Sequence, residues 1–250
     1  MAMAALGRRA VGGDARTSSK ETCGRRGPRR AVPVAMMTTP TWRRLVFEKG
    51  ERIALAERLL DRLDIRPGQT FLEIGCGMGY ASALAAERGA RVVVATDLSH
   101  AYLVRHAVRT AAIMEADVLH VAANAHKLPF GVGAFDRVWS ANMLYQCQVP
   151  TVVVAEIRRV LKPGGRWLGL ERIVPAWMRR REQERMDVLN EANGTTERAW
   201  TLQDWQSFAW RTHVQLTVLP GRRVRSARLR RWMTVARPGR VVLEVAAHGI

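Results

Sequence analysis

The ten residues Phe71–Tyr80, FLEIGCGMGY, join an apolar run and an acid to three glycines at alternate positions. Glycines in such a series allow sharp bends and close approaches that other residues do not. The glycines follow a predicted strand, Phe71–Ile74, and precede a predicted helix, Tyr80–Arg88. A strand, a glycine loop and a helix in this order indicate a place where a ligand contacts the backbone. The loop alone leaves three alternatives open: a nucleotide phosphate, another adenosine-containing molecule, or no ligand.

Strand and helix patterns alternate along the chain after this loop. Helices are predicted at Ala101–Ala112 and about 150–161, and strands at Val92–Thr96, Val118–Ala122, Phe135–Ser140 and Trp167–Glu171. Such alternation predicts a parallel sheet with helices on both faces. Two further strands are predicted at His213–Leu219 and Val241–Ala246. We therefore expect an α/β protein with a Rossmann-like, doubly wound, seven-stranded and mostly parallel sheet and a small helical lid.

The chain divides by composition into a tail and one domain. Residues 1–40 contain Gly, Pro, Ser and Arg without a sustained apolar period, which predicts a disordered basic tail. An organelle transit peptide, or translation that begins at Met36 or Met37, are the alternatives. Residues 41–250 form the predicted domain, with a lid or insertion at about 172–212. Within it, Thr201 and Asp204 are placed to cap a helix.

Charge and cysteine content restrict the class of protein. The net charge of +18 suits an anionic partner, but only 4 of the 40 basic residues are lysines, a bias that base composition of the genome explains. We therefore expect no nucleic-acid partner, without excluding one. The three cysteines are scattered and lack metal-ligand spacing, which predicts reduced thiols, a cytoplasmic protein and no metal site. No apolar run is long enough to span a membrane.

Asp97 ends the second predicted strand, 22 residues after Gly75. A carboxylate at this place can accept hydrogen bonds from both hydroxyls of a ribose. A dinucleotide fingerprint would need glycine at position 80 or 82, where the chain has Tyr80 and Ser82. An adenosine-containing ligand other than a dinucleotide is the better interpretation.

Four motifs resemble, in order and spacing, those of the class I S-adenosylmethionine-dependent methyltransferases. They are Glu73-x-Gly75-x-Gly77-x-Gly79, NAHKLPF (124–130), FDRVWSANMLYQ (135–146) and EIRRVLKPGGRWLGLE (156–171). The similarity is greatest to the small-molecule, ubiquinone/menaquinone-type branch. It implies S-adenosyl-L-methionine as cofactor and a small organic methyl acceptor.

The resemblance also implies the cofactor-binding residues. Glu73 and Gly75 would lie against the methionine part, in the loop that Gly77 and Gly79 complete. Asp97 would hold the ribose, and Leu98 would lie against the adenine face. The remaining expected contacts are those of Asn124 and Ala125 with the adenine edge and of Ser140 with the pocket wall. Asn124 departs from the family pattern, which has an acid at this position.

The residues that would catalyse methyl transfer are less clearly marked. Tyr145, just after the fourth strand, is the best-placed candidate, and the other candidate bases are His100, His106, His126 and His213. The segment SANMLYQ lacks the [DN]PPY-like motif of enzymes that methylate amino groups of bases. Cys147 lacks the Pro-Cys context of a cysteine nucleophile and is interpreted as a packing residue.

The methyl acceptor is expected to be apolar or aromatic. Five aromatic residues either form a lid over it or pack one amphipathic helix: Trp177, Trp200, Trp205, Phe208 and Trp210. An RNA or protein methyltransferase that uses the Arg-rich stretch 222–231 is an alternative, and so is a non-catalytic scaffold. The sequence does not indicate an oligomeric state.

Overall fold

The computed structural model describes residues 50–77, 80–111, 118–193, 195–219, 223–225, 234–236 and 239–246. The predicted tail at 1–40 lies outside these ranges. The helices are α1 (Gly50–Leu63), α2 (Tyr80–Glu87), α3 (His100–Ala111), α4 (Pro150–Val160), α5 (Arg179–Asn193) and α6 (Leu202–Thr212). The strands are β1 (Thr70–Ile74), β2 (Val92–Asp97), β3 (Val118–Ala122), β4 (Phe135–Ala141), β5 (Leu161–Arg172), β6 (Gln215–Leu219), β7 (Arg223–Arg225), β8 (Thr234–Ala236) and β9 (Arg240–Ala246).

Seven strands form one sheet in the order β3-β2-β1-β4-β5-β9-β6. The pairs from β3 to β5 are parallel, and β9 is antiparallel to both of its neighbours. This arrangement confirms the predicted seven-stranded, mostly parallel α/β sheet. The strand order reverses between β1 and β4, and a crevice at such a reversal is where open α/β sheets bind ligands.

The two faces of the sheet bury separate hydrophobic clusters because successive strand residues point to opposite sides. Phe71, on β1, packs in a cluster with residues of α1 and α2, whereas Leu72 packs in a cluster with residues of α4 and α6. β1 and β2 are buried along most of their length because both of their faces are covered. None of the helices in the described ranges has the length and apolar composition needed to cross a membrane.

Two predicted strand boundaries were wrong. His213 does not begin β6, because it ends α6 in the left-handed conformation with φ 50°. β5 begins six residues before the predicted Trp167, at Leu161, which pairs with Phe135. The register then shifts before Arg166 pairs with Arg137, so the Lys162–Gly165 turn is contained within the strand. A two-stranded sheet of β7 and β8 was not predicted.

The five aromatic residues assigned to a lid separate into different environments. Trp205 and Phe208 are buried among core residues of the sheet, because α6 is an amphipathic helix whose apolar face packs there. Trp200 stacks on Trp205 with ring centroids 4.3 Å apart. Trp177 and Trp210 are 84% and 80% exposed. Of the two interpretations, helix packing therefore holds for Trp205 and Phe208, and the lid stays a prediction.

The predicted cap of α6 is confirmed. The Thr201 side chain accepts from the backbone N–H of Asp204, and the Asp204 carboxylate accepts from the backbone N–H of Thr201 at 2.8 Å. These reciprocal bonds satisfy two donors at the start of the helix. They orient α6 so that its apolar face meets the sheet.

Candidate functional site

The predicted site residues gather at the carboxyl ends of four neighbouring parallel strands. Gly75 follows β1, Asp97 ends β2, Asn124 follows β3, and Tyr145 follows β4. The order of these strands is β3-β2-β1-β4, so the four ends form one edge of the sheet at the point where the strand order reverses. Gly79 lies outside the described residues.

Asp97 and the glycine loop form one hydrogen-bonded unit. Asp97 Oδ2 accepts from the backbone N–H of Gly77 at 2.9 Å, and Oδ1 accepts from that of Ser99 at 2.8 Å. Cys76 N–H also donates to the Thr96 carbonyl at 2.8 Å. A carboxylate has about four acceptor positions, so two remain for further donors such as ribose hydroxyls. Asp97 therefore positions the loop and retains capacity to bind a ligand.

Gly75 meets two requirements that only glycine satisfies easily. Its φ is +69°, in the left-handed region, and a Cβ at this position would lie 2.9 Å from Cγ of Met143. The β1 loop thus approaches the segment after β4 closely. Gly77 also has positive φ, +47°, but a Cβ there would meet nothing within 4 Å. The backbone of Gly77 borders open space.

Glu73 lies beneath the loop, where its carboxylate binds the first turn of α2. Its Oε2 accepts from the backbone N–H and the hydroxyl of Ser82, at 2.8 and 2.6 Å. Burial raises the pKa of Glu73 to about 7, against the lowering effect of these bonds, and the Asp97 charge raises it further. Glu73 would therefore act on a ligand through the placement of α2 and the loop.

The segments after β2 and β3 contain both an exposed apolar side chain and polar groups. Leu98, next to Asp97, is 77% exposed. The backbone N–H of Ala123 donates to the Asp97 carbonyl at 3.0 Å, which brings Asn124 and the half-buried Ala125 beside this strand end. The Asn124 Oδ1 accepts from the backbone N–H of His126 at 2.9 Å. That oxygen, which sequence reasoning assigned to an adenine amino group, is thus shared with His126.

The Ser140 side chain lies in the core of the protein. It is completely buried, and its Oγ accepts from the indole N–H of Trp167 at 3.1 Å. The sequence correctly places Ser140 near the end of β4, but its side chain faces the core on the side where Trp167 packs. The Ser140 hydroxyl is therefore engaged by Trp167, and the place of Ser140 in the pocket wall stays a prediction.

Tyr145 lies in a short 3₁₀ turn after β4 and is only 8% exposed. Its hydroxyl accepts from the Gln146 amide at 3.2 Å, and its ring centroid is 4.5 Å from the guanidinium carbon of Arg172. Burial raises the pKa of Tyr145, with a smaller lowering by the Gln146 bond. The phenol therefore remains protonated near neutral pH, so it can orient a ligand but is a poor base.

Glu171, at the end of β5, is a site residue that sequence reasoning missed. Its buried Oε1 accepts from the backbone N–H groups of Met143 and Leu144, at 3.1 and 3.0 Å. Its Oε2 has no hydrogen-bond partner among the described residues. Burial raises the pKa of Glu171 to about 7, opposed by the two backbone bonds and by the charges of Arg240 and Arg172. An acid at the end of an apolar strand was the only sequence signal for it.

The other candidate bases are dispersed. His100 is exposed, His213 caps α6, and the buried His106 contacts His120 through their ring nitrogens. His126 Nε2 accepts from the backbone N–H of Val149 at 3.2 Å. No three His, Cys, Asp or Glu side chains in the described ranges are grouped as metal ligands. The histidines proposed as bases therefore do not form one cluster, and His106, His126 and His213 each make a structural contact.

Cys147 has the environment of a packing thiol. Its sulfur lies 3.4 Å from the Met143 carbonyl and 3.3 Å from the Met143 sulfur. Burial, reinforced by the Glu171 charge, raises the pKa of Cys147 to about 12. The thiol is thus protonated at neutral pH, which disfavours a role as nucleophile.

Comparison with known sequences agrees with this geometry. Residues 72–168 match the family described as a methyltransferase domain. Methyltransferase GfsG of Streptomyces halstedii is 35% identical over 121 residues, 48% of this chain and 42% of that protein. Demethylmenaquinone methyltransferase of Beutenbergia cavernae is 34% identical over 118 residues, 47% of each chain. The match thus covers under half the length of each of these relatives. The names of other relatives include a tRNA U34 carboxymethyltransferase and a 24-methylenesterol C-methyltransferase.

The fold is also found among solved structures. A putative methyltransferase from Bacillus halodurans C-125 superposes with a TM-score of 0.60 at 17% identity, over 80% of this chain and 100% of that one. The sheet, the domain match and the similarity to the menaquinone-type relative agree with the resemblance carried by the four sequence motifs. The chain therefore contains a methyltransferase domain with the class I, Rossmann-like fold of the S-adenosylmethionine-dependent methyltransferase family.

Proposed function

We propose that the protein transfers a methyl group from S-adenosyl-L-methionine to a small organic acceptor with apolar or aromatic character. The hydrogen-bonded unit of Asp97 and Gly77, at the reversal of strand order in a methyltransferase domain, carries this proposal. The name of one relative, demethylmenaquinone methyltransferase, supports a small acceptor.

The residues present fit this cofactor. Asp97 has acceptor capacity for the ribose hydroxyls, and exposed Leu98 supplies an apolar surface for the adenine ring. Asn124 retains amide donors for the adenine edge, beside Ala125, while its Oδ1 contacts the backbone N–H and Nδ1 of His126. The open backbone at Gly77 and the close Gly75–Met143 contact are suited to the methionine part.

The bound cofactor supplies an activated methyl group for an in-line displacement. The protein must then align the acceptor and keep water away, and a base is needed only when the acceptor loses a proton. We propose that Tyr145 orients the acceptor or the methyl group with its ring and hydroxyl rather than removing a proton. The polar helix α5 belongs to the proposed lid at about 172–212, although Trp205 and Phe208 lie in the core.

Isothermal titration with S-adenosylmethionine tests the function. We expect the wild type to bind with a Kd in the micromolar range or tighter, and Asp97→Ala to weaken binding at least tenfold. Asp97→Asn should lose less, since an amide oxygen still accepts from Gly77. Asp61→Ala, which removes an exposed ion pair of α1, is the matched control and should bind like the wild type. Absence of binding by the wild type would refute the enzyme and favour a non-catalytic scaffold.

Methylation of RNA or protein is the second candidate, and the net charge of +18 supports it. Most of the Arg-rich stretch 222–231 lies outside the described residues. Binding to RNA that falls steeply with salt, and that weakens when Arg222, Arg223 and Arg225 are neutralised, would favour this alternative. Methylation of small-molecule pools without RNA affinity would oppose it.

The free thiols of Cys76 and Cys147 support the proposed cytoplasmic location.

A further inference from the structure

Arg172 lies between the segment after β4 and helix α5. It is the last residue of β5, and its guanidinium carbon lies 4.5 Å from the ring centroid of Tyr145. Its Nη2 is 3.5 Å from the Met186 sulfur on α5. The charged group therefore has an aromatic wall on one side and a thioether on the other, next to the edge of the sheet where the site residues gather.

The residues that the structure describes satisfy the donors of Arg172 poorly. Its Nε is buried and has no hydrogen-bond partner among the described residues. The Met186 sulfur is only a weak acceptor. The ion pairs found in the described ranges do not include Arg172, and Glu171 uses its Oε1 for the backbone of Met143 and Leu144. A half-buried guanidinium with unmet donors is unfavourable unless an acceptor meets them.

A second guanidinium adds to the positive charge at this place. Arg240 is directly opposite Arg172 in the antiparallel pair of β5 and β9. Its Nη1 donates to Oδ1 of Asn142 at 2.9 Å, in the segment that follows β4. Asn142 itself has φ 55°, and its backbone N–H donates to the Leu170 carbonyl at 2.7 Å. Arg240 thus lies beside the same segment that carries Tyr145.

We propose that Arg172 binds a carboxylate group of the methyl acceptor, with Arg240 contributing charge from the neighbouring strand. A guanidinium presents a planar fork of donors that matches the two oxygens of a carboxylate. The walls formed by Tyr145 and Met186 favour a singly charged planar group over a phosphate dianion, which needs more donors. The acceptor would then be an organic acid with an apolar or aromatic body. This inference rests on the proposed function.

The test uses the full-length protein saturated with S-adenosylhomocysteine and two pairs of probes. Benzoate and hexanoate are compared with their neutral amides, benzamide and hexanamide, by isothermal titration and ligand-observed NMR. We expect the wild type to bind each acid on the order of tenfold more tightly than its amide. Arg172→Gln should remove this preference, and Arg172→Lys should keep part of it. Arg91→Gln changes an exposed arginine at the amino end of β2 and should retain the full preference.

Three results would overturn the inference. They are equal or undetectable binding of acids and amides by the wild type, a preference that survives in Arg172→Gln, and a tenfold loss of S-adenosylmethionine affinity in that variant. The last result would assign Arg172 to the carboxylate of the cofactor. Thermal unfolding of both Arg172 variants checks that they fold. If Arg172→Gln does not fold, Arg172→Lys still tests the inference. Failure of the wild type to bind S-adenosylmethionine refutes the proposed function itself and is a separate outcome.

Discussion

Replacing Glu171 by glutamine tests whether this buried acid controls the stability of the site. Glutamine has the shape of the protonated acid, and its amide oxygen can still accept from the backbone N–H groups of Met143 and Leu144. The substitution removes only the capacity to carry a negative charge. Any difference from the wild type should therefore appear at the pH values where Glu171 is ionised.

The expected magnitude follows from the pKa of Glu171. Burial raises it from the ordinary value of 4.5 to about 7, although the two backbone bonds, Arg240 and Arg172 oppose this change. The folded protein thus holds this proton more tightly than the unfolded chain does. The free energy of unfolding therefore falls as the pH rises from 4.5 to 7, and is lower by roughly 3 kcal/mol above pH 7.

Urea unfolding at pH 5 and pH 8 measures this effect. At pH 8 we expect Glu171→Gln to be more stable than the wild type by about 3 kcal/mol, and at pH 5 by less than about 1 kcal/mol. Glu191→Gln, on an exposed position of α5, should follow the wild type at both pH values. Glu73, with a pKa also raised to about 7, contributes a similar pH dependence to all three proteins and cancels in the comparison.

Two outcomes would refute this reasoning. A difference between Glu171→Gln and the wild type that is the same at pH 5 and pH 8 would show that the buried charge has no energetic effect. A variant less stable than the wild type at pH 8 would show that attraction to Arg172 and Arg240 outweighs burial.

Three further substitutions test the geometry of the site. Gly75→Ala adds a Cβ at φ +69°, 2.9 Å from the Met143 side chain, and should lower the free energy of unfolding by about 1–3 kcal/mol. The control Gly131→Ala adds a Cβ in open space and should change it by under about 0.5 kcal/mol. Thermal denaturation measures both. Ser140→Ala leaves the indole N–H of Trp167 without its acceptor and should cost about 1–3 kcal/mol in urea unfolding, while S-adenosylmethionine affinity by titration stays within about twofold. Asp136→Asn should lower stability by about 2 kcal/mol at pH 7 and by little near pH 2. Burial raises the Asp136 pKa, but hydrogen bonds with Lys162 and Thr70 lower it to about 2. The contribution of Asp136 to the free energy of unfolding is therefore present above pH 3.8 and is lost as the pH falls toward 2. Acid titration of the wild type and Asp136→Asn measures this loss. The Ser140 contact would be contradicted by a loss of cofactor affinity in Ser140→Ala. The Gly75 contact would be contradicted if Gly75→Ala kept the stability of the wild type. The Asp136 contact would be contradicted if the effect of Asp136→Asn on stability were the same at pH 7 and pH 2.

Local patterns in the sequence predicted much of the fold. Strand patterns at β1 and β2 predicted the start of the sheet, and both strands are buried because their two faces are covered. Alternation with helical segments predicted the layers, and the cap of α6 was readable from Thr201 and Asp204. His213 was misplaced because its left-handed conformation is set by the end of α6, which apolar periodicity does not reveal.

The sequence by itself determined the fold class, the glycine loop and the position of Asp97 at the end of its strand, because these depend on the order of residues along neighbouring elements. Only the tertiary structure decided that Ser140 faces Trp167, that Met143 approaches Gly75, and that Glu171 holds the segment after β4. The physical reason is that these contacts join residues 27 to 68 positions apart, and the packing of strand ends and helices, which no local pattern encodes, brings them together.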